Sequence, residues 1–275
     1  MTVRVAFQGE LGAFSEEAVG LYFGASAEPV PSKQFADVTE AVLGGVVDYG
    51  LLPIENTTVG SVLAAYDALK SGVHTVGEVV CAVRHQLLAA PGAVLTDVQR
   101  ALSHPVALAQ CAHFFAQHPW IEPVAVYDTA GAAKQVAEAA NPAIAAVAGM
   151  RAAHRYGLSV LASGIQDRAD NQTRFLVVSR TASVPHAPEN ASWKTALLFQ
   201  TRNEPGGLVG VLAPLAERNI NLTSLQARPG DEPWTYWFFI EIEGRREDPG
   251  VAHALEVIGQ HVVTIIVLGS FPRSA

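Results

Sequence analysis

Basic runs, paired cysteines and long apolar stretches are all missing from this sequence. Only 16% of the residues are charged, and 18 lysines and arginines face 26 aspartates and glutamates, which leaves a formal net charge of −8. Nucleic-acid binding depends on a surplus of basic side chains for the phosphates, so this balance argues against a nucleic-acid partner. Hydrophobic residues make up 49% of the chain. That share predicts a globular protein with a buried core rather than a disordered one.

The two cysteines, Cys81 and Cys111, lie far apart, and neither belongs to a C-x-x-C pair. We expect two buried thiols in a reducing compartment, with a structural disulfide as the alternative. The longest apolar run, residues 262–268, has the length of a strand, whereas a membrane-spanning helix needs about 18 residues. The first residues lack the charged and apolar regions of a signal peptide. The sequence therefore predicts a soluble, cytoplasmic protein with no membrane partner.

Short apolar runs alternate with amphipathic stretches up to residue 181. The spacing predicts strands at 3–8, 49–54, 100–103, 124–127, 143–146 and 174–179, extended chain across 73–90, and helices at 15–23, 35–46, 59–69, 105–117, 129–140 and 151–156. Ser15 is the expected N-cap of the first helix. Strands that alternate with helices form parallel sheets covered by helices. We therefore predict an α/β fold with two lobes and a small-molecule cleft between them.

The composition changes between residues 182 and 192, where prolines and polar residues predict a linker. After it, strands are predicted at 193–201, 220–227, 234–243 and 262–268, and helices at 207–218 and 251–258. This order is β-α-β-β-α-β, the ferredoxin-like pattern. The predicted organisation is a first domain over residues 1–181, a linker over 182–192 and a second domain over 193–275.

Five motifs of the first domain follow one another in a fixed order. They are F-Q-G-E-L-G-A-F-S at 7–15, P-I-E-N-T-T-V-G at 53–60, S-H-P with A-L and Q-C within 103–111, D-T-A at 128–130, and G-I-Q-D with N-Q-T-R-F within 164–175. Together they resemble the prephenate dehydratase family. The resemblance implies a two-lobed, periplasmic-binding-protein-like catalytic domain. It also implies a lyase that converts prephenate to phenylpyruvate with loss of CO2 and water, in phenylalanine biosynthesis, without a cofactor or metal. No chorismate mutase segment precedes the first strand, so we expect the monofunctional enzyme.

The second domain resembles the ACT domain that is usually fused to these enzymes, through N-E-P-G-G-L at 203–208 and N-I-N-L-T-S-L at 219–225. The resemblance implies feedback regulation by an amino acid, phenylalanine, and a homodimer or homotetramer. The implied effector-binding residues are Pro205, Gly206, Gly207, Leu208, Asn221, Leu222, Gln226, Arg228 and Pro229. Gln226 and Ala227 stand where the family usually has Glu-Ser, which leaves the effector open. Dimerisation without any ligand is the alternative.

The reaction needs a grip on a dianion, a proton for the departing hydroxyl and a site that excludes water. The resemblance implies Thr173 as the proton donor, and the guanidinium fork of Arg174 fits a carboxylate. The turns at 9–15 and 56–61 lead into predicted helices and so offer backbone N–H groups to anions. The predicted catalytic residues are Thr173, Glu55, Asn56, Ser103 and Gln110, and the predicted substrate-binding residues are Arg174, Phe175, Ser15, Thr57, His104 and Asn171.

Several of these residues have a structural alternative. Arg174 fits a salt bridge that ties two segments, Glu55 fits a partner for a nearby arginine, and His104 fits a helix entry before Pro105. For the whole chain, two other functions remain open. One is arogenate dehydratase, whose substrate has an amino group where prephenate has a keto oxygen, and the other is a non-catalytic small-molecule-binding protein.

Overall fold

The computed structural model describes residues 2–185, 187, 189–230 and 232–274. His186 and Pro188, which belong to the predicted linker, lie outside the described residues. Internal contacts divide the chain into two compact units. The first comprises Met1–Val38, Leu51–Val62 and Val79–Phe175, and the second comprises Thr39–Gly50, Leu63–Glu78 and Leu176–Ala275. No helix within the described residues is long and apolar enough to cross a membrane.

Up to residue 179 the chain alternates strands and helices. In chain order the elements are β1 Arg4–Gln8, α1 Phe14–Phe23, β2 Glu28–Ser32, α2 Phe35–Leu43, β3 Tyr49–Asn56, β4 Gly60–Ser61, α3 Leu63–Ala68, β5 His74–Ala82, β6 Gln86–Ala89, β7 Arg100–Ser103, α4 Pro105–Ala109, α5 Ala112–Gln117, β8 Glu122–Ala125, α6 Thr129–Ala139, β9 Ile144–Ala148, α7 Met150–Tyr156, β10 Ser159–Ser163 and β11 Gln172–Ser179. Short 3-10 turns at Leu69–Ser71 and Leu95–Asp97 complete this part.

These strands form two sheets, as the sequence predicts for an α/β fold. The first has the order β2-β1-β3-β11-β5, with β4 paired to β3, and the second has the order β10-β6-β9-β7-β8. β1 pairs in parallel with β2, and β7 pairs in parallel with both β8 and β9. β6, however, runs antiparallel to β9 and to β10. The prediction of parallel sheets therefore fails at β6, which makes the second sheet a mixed one.

The second sheet is buried on both faces. Leu87 of β6 and Val147 of β9 belong to one apolar cluster, whereas their neighbours Leu88 and Ala146 belong to another. Successive side chains of a strand point to opposite faces, so helices cover the sheet on both sides. Cys111 lies in the first cluster. Both cysteines are buried and free, which confirms the predicted thiols.

The structure corrects several predicted elements. The first helix begins at Phe14 with Ala13 in the N-cap position, so Ser15 is not its N-cap. The single helix expected over 105–117 is two helices, because the Asp167 carboxylate accepts hydrogen bonds from the N–H groups of Ala112 and His113 and starts a new helix there. The helix expected over 59–69 begins only at Leu63, after β4. β2 and β10 were not predicted.

The second unit contains the predicted β-α-β-β-α-β order. Its elements are β12 Trp193–Thr201, α8 Val209–Ala216, β13 Leu222–Pro229, β14 Tyr236–Glu243, α9 Pro249–Gly259 and β15 Val262–Pro272. The sheet order is β13-β14-β12-β15, with antiparallel neighbours. Residues from α8 and α9 share one apolar cluster with strand residues such as Phe199 and Ile240. One face of this sheet is therefore covered by its own two helices.

Candidate functional site

Asn56 ends β3, a strand whose apolar residues Leu51, Leu52 and Ile54 are fully buried. Its side-chain oxygen accepts hydrogen bonds from the N–H groups of Thr58, at 2.9 Å, and Val59, at 3.1 Å. Backbone N–H groups can only donate, so these two bonds fix which end of the Asn56 amide is oxygen. The Nδ2 atom must therefore face the opposite way.

The Nδ2 atom of Asn56 faces the start of β11. It lies 2.8 Å from Asn171 Oδ1, 3.0 Å from Thr173 Oγ1 and 3.0 Å from the Gln172 carbonyl oxygen. Thr57 holds the same segment in place, because its N–H donates to Gln172 O and its hydroxyl both donates to Asp170 O and accepts from Gln172 N, each at 3.0 Å. The motifs around residues 56 and 173 thus meet through direct hydrogen bonds.

Thr173 is half-buried and receives a hydrogen bond from Asn56 Nδ2. Among the residues that the structure describes, none accepts a hydrogen bond from its hydroxyl. Because a hydroxyl is both donor and acceptor, the bond from Asn56 uses a lone pair and leaves the proton available. This is the arrangement that a hydroxyl proton donor requires.

Gln110 extends the network beyond Asn171. Asn171 Nδ2 donates to Gln110 Oε1 at 3.1 Å, and His85 Nε2 lies 2.9 Å from the same oxygen. Asn171, Gln110 and His85 are all buried, and the ring of His85 meets Phe14 edge-on at 5.5 Å. Burial lowers the pKa of the His85 imidazole, and the hydrogen bond with Gln110 opposes that shift. The sequence did not point to His85, which lies in the short connection between β5 and β6 outside every motif.

Arg174 and Glu55 pair with each other. The Nε atom of Arg174 lies 2.7 Å from Glu55 Oε1, and the arginine side chain is 11% exposed against 46% for the glutamate. Side chains alternate along a strand, so this pair lies on the opposite face of the sheet from Asn56 and Thr173. The geometry matches the alternative of a salt bridge that ties two segments.

Three further predicted residues lie outside this network. The Ser103 hydroxyl is fully buried and donates to the Val147 carbonyl oxygen at 2.6 Å, so it ties β7 to β9. His104 is the N-cap of α4, with its Nδ1 accepting from Val106 N at 3.2 Å, which matches its helix-entry alternative. Phe175, on β11, is 2% exposed and lies in the hydrophobic core.

Ser15 lies within α1 and is half-buried. Cys111 is no candidate for nucleophilic chemistry, because burial raises the pKa of its thiol to about 12. Burial raises the pKa of the Cys81 thiol to about 12 as well. Neither cysteine is therefore a nucleophile at neutral pH.

The predicted effector-binding residues occupy two places in the second unit. Pro205, Gly206, Gly207 and Leu208 form the turn before α8, where Gly206 has a φ of 86° and a Cβ on Gly207 would lie 2.6 Å from the Arg202 carbonyl oxygen. Glycine is required at both positions for these reasons. Leu222, Gln226, Arg228 and Pro229 lie on β13, an edge strand, directly after Asn221.

The guanidinium group of Arg228 is already paired with a carboxylate. Its Nε and Nη2 atoms bond both oxygens of Asp67 in α3, at 3.1 and 2.5 Å, and Lys70 donates to Pro229 O at 3.4 Å. Asp67 has its pKa lowered, chiefly by the hydrogen bond from Arg228. Arg228 thus anchors β13 to α3.

Comparison with known proteins shows the family to which the chain belongs. The family model described as prephenate dehydratase matches residues 5–183, and the model described as ACT domain matches residues 195–260. The chain belongs to the prephenate dehydratase family. It is a carbon–oxygen lyase of that family with an ACT domain, which confirms the predicted family, fold class and enzyme class.

Relatives of the prephenate dehydratase family come from plants and bacteria. Arogenate dehydratase/prephenate dehydratase 2, chloroplastic, from Arabidopsis thaliana is 42% identical over 282 residues, which cover 98% of this chain and 73% of the relative. A bifunctional chorismate mutase/prephenate dehydratase from Stutzerimonas stutzeri is 38% identical over 275 residues, covering 99% and 74%.

Two solved structures are similar over nearly the whole chain. The prephenate dehydratase of Arthrobacter aurescens in complex with L-Phe has a TM-score of 0.90 and 32% identity, covering 98% of this chain and 90% of its own. GqqA, described as a novel type of quorum quenching acylase, has a TM-score of 0.90 and 33% identity, with 98% of both chains covered.

Proposed function

We propose that the chain converts prephenate to phenylpyruvate with Thr173 as the group that donates a proton to the departing hydroxyl. The observation that carries this assignment is the bond from Asn56 Nδ2 to Thr173 Oγ1 at 3.0 Å. That bond occupies a lone pair of the hydroxyl and leaves its proton for the substrate. General-acid assistance of this kind contributes roughly 10²–10⁴-fold to a rate.

The bond changes in the reaction are simple. The bond between the ring and its carboxylate breaks and releases CO2, its electron pair enters the ring, and the carbon–oxygen bond on the other side of the ring breaks. The departing hydroxide takes one proton and leaves as water, so each turnover consumes one proton from solvent. A threonine hydroxyl is too weak an acid to supply that proton by free dissociation. It must act through a positioned hydrogen bond and be reprotonated by water.

The neighbouring amides divide the remaining roles. Asn56 and Asn171 orient the hydroxyl of Thr173, and Gln110 offers its Nε2 group to a substrate oxygen, because its Oε1 already accepts from Asn171 and His85. Thr57 holds the segment that carries Asn171. Each of these groups is uncharged, so they orient the substrate through hydrogen bonds and supply no countercharge for its carboxylates.

We assign Arg174 and Glu55 to holding β3 against β11 rather than to a direct grip on a carboxylate. Their 2.7 Å contact joins the two strands that carry Asn56 and Thr173. Phe175 supports the site from within the core, Ser103 ties β7 to β9, and His104 caps the start of α4. The predicted role of Ser15 as a hydroxyl for the substrate remains a proposal.

The ACT domain is proposed to bind phenylalanine at the turn of residues 205–208 together with β13, and to assemble the enzyme as a homodimer or homotetramer. Exposed apolar side chains on the two edge strands support such assembly: Leu225 of β13 is 44% exposed, and Val263 and Ile266 of β15 are 61% and 39% exposed. We propose a cytoplasmic location, which the two free thiols favour.

Steady-state assays with prephenate and with arogenate on the purified protein test this function. The proposal expects phenylpyruvate from prephenate, with Thr173→Ala slower by about 10²-fold or more. Faster turnover of arogenate would favour the second candidate, which the names of two plant relatives suggest. Turnover of neither substrate would favour the non-catalytic binding protein. An acylase assay on the same protein tests whether it shares the activity described for GqqA.

A further inference from the structure

His85 lies at the buried end of the side-chain network. It is 2% exposed, and its Nε2 atom lies 2.9 Å from Gln110 Oε1. Its backbone is also fixed by two hydrogen bonds. The N–H group donates to Gln166 Oε1 at 2.9 Å, and the carbonyl oxygen accepts from Ile165 N at 3.0 Å. The ring is therefore held at both its backbone and its tip.

The direction of every hydrogen bond in the network follows from Asn56. Its oriented amide makes Asn171 Oδ1 an acceptor, so Asn171 Nδ2 is the atom that donates to Gln110 Oε1. Gln110 Oε1 is then an acceptor in both of its bonds, and His85 Nε2 must carry the hydrogen that it donates. In the neutral ring this leaves Nδ1 unprotonated.

The Nδ1 atom of His85 is buried and has no hydrogen-bond partner among the residues that the structure describes. A histidine placed only to fill space would leave an unpaired buried acceptor, a cost that an apolar ring such as that of Phe14 beside it avoids. The Nε2–H group is the part of the side chain that an apolar residue lacks. The arrangement thus favours a role for that donor.

We propose that His85 is a positioning residue for the reaction: its neutral Nε2–H group holds Gln110 Oε1 so that the Nε2 group of Gln110 is presented to the substrate. The inference rests on the proposed function of the site. A lysine or arginine at this place would add a buried charge, and a serine would not reach Gln110, whereas a neutral imidazole supplies one rigid donor. His85 itself touches no substrate.

Two substitutions separate positioning from packing. His85→Phe keeps a ring against Phe14 but removes the donor, and His85→Gln keeps an N–H group at the reach of Nε2. We expect His85→Phe to lower kcat by about tenfold with a smaller change in KM, which corresponds to the loss of one buried hydrogen bond. His85→Gln should restore kcat to within about threefold of the wild type. Equal kcat values in the two variants would overturn the proposal.

A double-mutant cycle gives the second readout. In a Gln110→Ala background the His85→Phe change should slow the enzyme by less than about twofold, because the group that it positions is gone. An undiminished tenfold effect in that background would contradict the positioning role.

Nitrogen-15 NMR of the wild-type protein at neutral pH tests the same inference without any catalysis. The expected spectrum has His85 Nε2 protonated and Nδ1 unprotonated, and the opposite tautomer would overturn the proposal even if both variants fold poorly. A wild-type protein that does not turn over prephenate would refute the proposed function instead. These two failures are therefore distinguishable.

Discussion

Replacing Asn56 by aspartate tests the orientation of the network with almost no change in shape. One carboxylate oxygen can still accept from the N–H groups of Thr58 and Val59. The other oxygen then faces Asn171 Oδ1, Gln172 O and Thr173 Oγ1, where Nδ2 previously donated. The Thr173 hydroxyl must now turn and donate its proton to the new carboxylate.

The expected effects of Asn56→Asp on turnover and on stability follow from two lost interactions. The proton of Thr173 no longer faces the substrate, which removes assistance worth roughly 10²–10⁴-fold. Asn171 Oδ1 also loses its donor at a position where Asn56 is only 9% exposed, and such an unpaired acceptor costs about 1–3 kcal/mol of folding stability. We expect kcat to fall by at least about 10²-fold while the protein remains folded.

The assay is steady-state kinetics on prephenate, with stability followed by urea unfolding. Asn141→Asp is the matched control, because Asn141 Oδ1 also accepts from a backbone N–H, that of Ala143 at 3.0 Å, in an exposed turn. The double variant Asn56→Asp with Thr173→Ala should be no slower than Thr173→Ala alone. Additive losses in the double variant, or a kcat within about threefold of wild type for Asn56→Asp, would refute the reasoning.

Three other predictions follow from the structure. Cys81 and Cys111, with thiol pKa values raised to about 12 by burial, should resist alkylation at neutral pH in the folded protein and react after unfolding; rapid native labelling would contradict this. The lowered pKa of His85 means that the unfolded state binds more protons below pH ~6.5, so stability should fall as the pH drops below that value, and His85→Phe should flatten the profile in urea unfolding. Asp67→Asn removes the ion pair with Arg228, whose partners are 42% and 20% exposed, and should cost about 1 kcal/mol or less at low salt, with a smaller difference at high salt. A salt-independent loss would point to packing instead.

The residues of the site could be found from sequence motifs, but their partners could not. Asn56 and Thr173 stand in motifs that resemble a known family, yet they are 117 positions apart, so the hydrogen bond that joins them could not be predicted. Ser103 and His104 stand in an equally convincing motif, and the structure gives one a strand-to-strand bond and the other a helix cap. A motif identifies polar residues without distinguishing groups that face the substrate from groups that hold the backbone.

The fold shows a similar division. Helical and strand spacing indicated most elements of both units, because periodicity is a local signal. The break between α4 and α5 was invisible because it depends on Asp167, which is 55 positions from Ala112. β2 was missed because Pro29 and Pro31 are unfavourable inside a sheet, although β2 is an edge strand, where proline is tolerated.

Removing and restoring the Thr173 hydroxyl tests whether it donates to the departing hydroxyl of prephenate. The most direct measurement compares kcat on prephenate for Thr173→Ala and Thr173→Ser with that of the wild type. We expect a loss of about 10²-fold or more for alanine, which has no hydroxyl, and a much smaller loss for serine, which keeps it. Turnover by the alanine variant within about threefold of the wild type would contradict the claim.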